Sequence, residues 1–69
     1  MKQIPVTSQL IKSIFFSPED GSLWIKMQNG ENRLFAGVPE EVVTEMAEAP
    51  SPGNYYIRKI RASYSRLAA

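Results

Sequence analysis

The side chains that most often carry chemistry are missing from this chain or stand alone in it. There is no histidine and no cysteine. That removes the commonest general base, the commonest nitrogen ligand for metals and every thiolate. Serines are plentiful, at Ser8, Ser13, Ser17, Ser22, Ser51, Ser63 and Ser65, but no imidazole can activate them. Glu41 and Glu45 form a carboxylate pair four residues apart. On a helix they share one face, and like charges there read as a solvated surface. Paired acid–base work also needs a cleft and a raised pKa, and 69 residues leave little room for a cleft. Gly21, Gly30, Gly37 and Gly53 are isolated turn or cap residues and make no phosphate loop. No acidic spacing resembles a calcium loop. The expectation is no catalytic residue, no metal site, no cofactor and no small-molecule substrate.

What remains is charge and aromatic rings. The net charge of +1 hides a division. Residues 1–49 carry Lys2, Lys12, Lys26 and Arg33 against seven acids, whereas residues 50–69 carry Arg58, Lys59, Arg61 and Arg66 and no acid. These four cations stand among Tyr55, Tyr56 and Tyr64. Cations interleaved with rings suit nucleic acid, because Arg and Lys meet phosphates and rings stack on unpaired bases. Lys26 and Arg33 are expected to assist. The competing reading makes Tyr56, Ile60 and Tyr64 core residues and pairs the cations with Glu40, Glu41, Glu45 and Glu48. A second candidate surface holds Trp24, Lys26, Arg33 and Phe35, joined by Phe15 or not according to strand register. Trp24, Arg33 and Phe35 there would suit a protein partner, since Trp and Arg are favoured interface anchors.

The elements that must position these residues are strands first and helices second. Ile11 to Ser17 is β-branched and aromatic and ends at Pro18. Pro18-Glu19-Asp20-Gly21 is a turn, with Pro presetting φ and Asp-Gly tolerating positive φ. Leu23-Trp24-Ile25-Lys26-Met27 alternates, with Leu23, Ile25 and Met27 on one face. Asn29-Gly30 is a hairpin signal. Asn32 to Ala36 reads as the third strand, with Leu34 and Ala36 inward and Arg33 and Phe35 outward. Residues 4–10 offer a short edge strand, where Pro5 is tolerated. Pro39 suits a first helical position, followed by Glu40 and Glu41 at the positive end of the helix dipole. Val42, Val43, Met46 and Ala49 share a face, and Pro50 stops the helix. Ser51 is an N-cap candidate for a second helix beginning at Pro52, with Gly53 weakening its first turn. Tyr56, Ile60 and Tyr64, joined by Ile57 and Leu67, make its apolar side. The fold class is α+β, an antiparallel meander of three to four strands followed by two helices packed on one face.

Residues 1–69 are expected to form a single domain with a core of about 4–64 and a frayed end at 65–69. The longest apolar run, Ile14-Phe15-Phe16, cannot span a membrane. The start of the chain holds no apolar stretch long enough for a signal peptide, so the cytoplasm is the expected compartment. An unprotected edge strand allows a weak dimer as well as a monomer.

The order of short motifs resembles the KTSC domain, a small module named after the C-terminal extension of some lysyl-tRNA synthetases. The motifs are Val6-x-Ser8, Ile11-x-Ser13-Ile14, Leu23-x-Ile25-x-Met27-x-Asn29-Gly30, Phe35-x-x-Val38-Pro39, Ser51-x-Gly53-x-x-Tyr56 and Ile60-Arg61-x-x-Tyr64. Together they run from Val6 to Tyr64. The family usually carries Tyr-x-Tyr in its central strand, where this chain has Arg33-Leu34-Phe35. If those tyrosines form a contact surface in relatives, it is altered here. The family occurs fused to synthetases and as free-standing bacterial and phage proteins. The resemblance implies RNA binding, or for a free-standing protein the gripping of a larger machine such as a polymerase or synthetase.

Overall fold

A computed structural model describes residues 1–64 of the chain. Four antiparallel strands lie in chain order, β1 (Lys2–Ile4), β2 (Ile11–Ser17), β3 (Ser22–Met27) and β4 (Asn32–Phe35). They are followed by α1 (Glu40–Glu48) and a second helical segment spanning 52–63. That segment begins as α2 (Pro52–Tyr55), widens into a π-helical turn (Tyr56–Ile60) and closes as α3 (Arg61–Ser63). The expected α+β meander with helices on one face is the fold.

Local chemistry sets the turns. In the β2–β3 turn the Gly21 N–H donates to the Ser17 carbonyl, and Gly21 takes φ +72°. The Ser22 N–H donates to the Asp20 carboxylate at 3.0 Å, which holds that carboxyl below its ordinary pKa. The β3–β4 turn is a three-residue loop, Gln28-Asn29-Gly30. The Gly30 N–H closes a turn on Met27, the Met27 N–H reaches Glu31, and Gly30 alone in the loop has positive φ. This is a type I turn followed by a glycine bulge, where Asn29-Gly30 by itself would make a two-residue turn.

That one extra residue decides the register of β4, and it corrects the sequence reading. Leu23 pairs with Phe35, Trp24 with Leu34 and Ile25 with Arg33. Opposed residues share a face, so Phe35 and Arg33 point at the helices and Leu34 lies outside over Trp24. A two-residue turn would have placed Arg33 and Phe35 beside Lys26 and Trp24, the arrangement expected above. A shift of one residue exchanges every side chain between faces. The shift also buries the larger apolar group, since Phe35 is 0% exposed whereas Ala36 lies exposed beyond the strand.

A bulge in β2 has a similar effect. The pairing jumps from Ile11–Met27 to Ser13–Lys26, so Ile11, Ile14 and Phe16 all reach the core and Phe15 faces outward. The edge strand lies at Lys2–Ile4, earlier than expected, because Pro5 has no N–H with which to extend the ladder. The core joins these side chains to Leu23, Ile25, Met27, Phe35, Val38, Val43, Met46, Tyr56 and Ile60. Ile57, expected on the apolar side, is 37% exposed. The first helix starts one residue later than expected, with Pro39 as its extended N-cap. The second starts at Pro52 with Ser51 as N-cap. A Cβ at Gly53 would lie 3.0 Å from the Leu10 Cβ, so a larger residue there requires the exposed Leu10 to give by a few tenths of an ångström. No helix among the described residues is long and apolar enough to cross a membrane.

Candidate functional site

The helical segment 52–63 presents its cations outward because its anchors point inward. Tyr56 and Ile60 are buried, and the wide π-helical turn between them seats Ile57, Arg58 and Lys59 as three consecutive exposed residues. Arg61 is also exposed. None of Arg58, Lys59 and Arg61 has an ion-pair partner among the described residues. The acidic face of α1 does not absorb them. Glu40 pairs with Lys2 at 3.9 Å, and Glu45 accepts a hydrogen bond from the Tyr55 hydroxyl at 3.1 Å. Burial raises the Tyr55 hydroxyl above the ordinary phenol range, and the Glu45 carboxylate adds to the rise. Arg66 and the expected fraying at 65–69 lie outside the described residues.

An open groove of about 320 Å³ runs beside Arg58 and Lys59. One wall is the corner at 49–51 between the two helical segments. The other wall is Asn54, Tyr55, Arg58 and Lys59. Two further depressions continue it. On the Ser51–Asn54 side lies a space of about 510 Å³, walled by the 7–10 loop with its Thr7 and Ser8 hydroxyls. Beyond Tyr55 and Lys59 lies one of about 250 Å³, reaching Tyr64 and Glu45. The loop wall is braced: Ser8 Oγ accepts from the Leu10 and Ile11 N–H groups at 3.1 Å, and the Gln28 amide donates to the Ser8 carbonyl. Sequence reasoning did not place Asn54, Ser51 or the 7–10 loop in a site. The only signal was the Pro50-Ser51-Pro52 corner, whose short side chains leave space where two helices meet.

The other expected members do not join this surface. Lys26 alternates with the buried Ile25 and lies on the outer face of the sheet, opposite the helices. Arg33 faces the helices but is bound to Glu31 in a salt bridge, which raises its pKa. Its guanidinium stands close to the buried Tyr56 hydroxyl, which has no hydrogen-bond partner among the described residues. Phe35 is in the core and packs edge-on against Tyr56 with ring centroids 6.0 Å apart. The expected protein-binding trio of Trp24, Arg33 and Phe35 is therefore divided between two faces. In its place the outer face shows a half-buried stripe, Phe15–Trp24–Leu34, which no described element covers. The Phe15 and Trp24 rings are 5.2 Å apart, and the indole N–H donates to Asn32 at 2.9 Å.

Comparison with known proteins adds a lineage to this geometry. The model of the KTSC domain family matches residues 7–64. An uncharacterised protein of Stutzerimonas stutzeri (strain A1501) is 27% identical over 66 residues, which cover 96% of this chain and 93% of that protein. The crystal structure of a KTSC domain protein from Yersinia pestis superposes with a TM-score of 0.86 at 25% identity, over 99% of this chain and 96% of that one.

Proposed function

The chain belongs to the KTSC domain family, and from that premise we propose that it is a non-catalytic module that binds nucleic acid, RNA above all, through Arg58, Lys59 and Arg61. One observation carries the reading. These three cations stand exposed without carboxylate partners among the described residues, although the neighbouring helix α1 bears Glu40, Glu41, Glu45 and Glu48. Unneutralised cations along one helix are an electrostatic footprint for phosphates. The π-helical turn that displays Arg58 and Lys59 is a local distortion of a kind often found at functional sites.

The test is a titration of RNA against salt. Three phosphate contacts to a single strand give a slope of log affinity on log salt of about −2, or a loss of roughly twentyfold between about 50 and 200 mM. Replacing Arg58 and Arg61 together by Ala should weaken binding and remove about 0.7 from the slope for each cation lost. Absence of binding to any RNA at about 50 mM salt defeats the proposal. The uncovered Phe15–Trp24–Leu34 stripe favours a second reading, a protein partner docked on the outer face of the sheet.

A further inference from the structure

The groove beside the cations has a composition that a phosphate track alone does not require. At one end stand Arg58 and Lys59. Its middle is apolar, formed by Ala49, Pro50 and the ring of Tyr55. The ring is not free to turn away, because its hydroxyl is tied to Glu45 on the neighbouring helix. Past Ser51 and Asn54 the adjoining depression offers hydroxyls and amides, Thr7, Ser8 and Gln9 among them. Cation, apolar slot and hydroxyl-rich continuation lie in that order along one surface.

The pairing suits one nucleotide of a single strand: Arg58 and Lys59 meet the phosphate, the apolar slot takes the flat base, and the sugar joins the two. The groove volume, about 320 Å³, lies at the small end of ligand pockets. A duplex keeps its bases stacked inside and could reach only the two cations. We infer that the groove at Pro50–Asn54–Tyr55 accepts one unpaired base of a single-stranded RNA, with the adjacent phosphate on Arg58 and Lys59. This rests on the nucleic-acid reading and deepens it: the cations supply affinity, and the groove selects unpaired strands. Glu45 stands in the depression beyond Tyr55 and Lys59, so the phosphate sits toward Arg58, away from the carboxylate.

The experiment compares a fluorescently labelled single-stranded RNA of about six nucleotides with a duplex of equal phosphate number, at about 50 mM salt. The single strand should bind about tenfold more tightly, the size of effect that one stacked base supplies. Asn54→Leu fills the groove from an exposed position without adding a stacking ring, so the fold should survive by circular dichroism, and the single-strand preference should fall. Tyr55→Phe keeps the ring and should keep the preference. If single strand and duplex bind equally while Arg58→Ala still weakens both, the groove inference is overturned and the cation reading stands. If neither probe binds, both are overturned. If uridine monophosphate competes as well as the strand, molecule for molecule, the site takes a free nucleotide and the strand assignment is wrong.

Discussion

Phe35 has no exposed surface and lies between its strand partner Leu23 and the edge of the Tyr56 ring. Its neighbour Leu34 is half-buried on the opposite face. Truncating a buried aromatic costs about 3–5 kcal/mol, from lost burial and from the cavity left behind. A core this small supplies roughly 3–5 kcal/mol in all. Phe35→Ala should therefore abolish a cooperative urea transition at room temperature, whereas Leu34→Ala should lose about 1 kcal/mol or less. Equal tolerance of the two would mean that β4 has the other register. The same geometry bears on the family's Tyr-x-Tyr element. Both matching positions, Arg33 and Phe35, face the helices in this chain.

The two helical segments are joined by a polar tie as well as by apolar packing. The Tyr55 O–H donates to Glu45 across the seam. Burial, then the Glu45 carboxylate, raise the Tyr55 pKa. The folded state thus favours the neutral phenol more than the unfolded chain does. The stabilising contribution is complete below the ordinary phenol value of about 10 and is lost as pH rises through the raised folded value. Ionisation removes the donor and sets a phenolate against a carboxylate. Glu45→Gln should bring the Tyr55 titration part of the way back toward the ordinary value, burial supplying the remainder. A residue-specific NMR titration of the ring reads this. An unmoved titration would show that the tie is not made in solution. The tie fixes the ring that walls the groove.

Across the whole molecule the sheet separates two surfaces. The helices, the cations and the groove lie on one side, and the Phe15–Trp24–Leu34 stripe lies on the other. Trp24 is the only tryptophan in the chain, so its fluorescence reports on the outer face alone. RNA bound at Arg58, Lys59 and Arg61 should leave Trp24 emission and its quenching by acrylamide unchanged throughout a titration that saturates a labelled RNA. Saturable quenching of Trp24 by RNA would move the site to the sheet. Protection of Trp24 by a captured protein, together with loss of capture on Trp24→Ala, would favour the second reading.

Several features were readable from single positions because their causes are local. Gly21 supplies positive φ to the first hairpin, Pro50 ends a helix, and Ser51-Pro52 starts another; each depends on the conformations open to one or two residues. Period-two alternation in β3, helical spacing at Val43 and Met46, and four-residue recurrence at Tyr56 and Ile60 named seven of the twelve core residues among the described residues, since periodicity follows from backbone geometry. The cations were visible as a run of one sign. What sequence could not decide was anything that hangs on counting across a gap. A three-residue loop in place of a two-residue one turned Phe35 inward, and a bulge at the start of β2 turned Phe15 outward. The groove was hidden for a related reason. It belongs to no element, and arises only where the Pro50 corner, the 7–10 loop and the first turns of the last helical segment meet. Whether Arg58, Lys59 and Arg61 would be neutralised by α1 was likewise a matter of tertiary geometry. Charges close in composition pair only if side chains reach, and here Glu40 reaches Lys2 and Glu45 reaches Tyr55 instead.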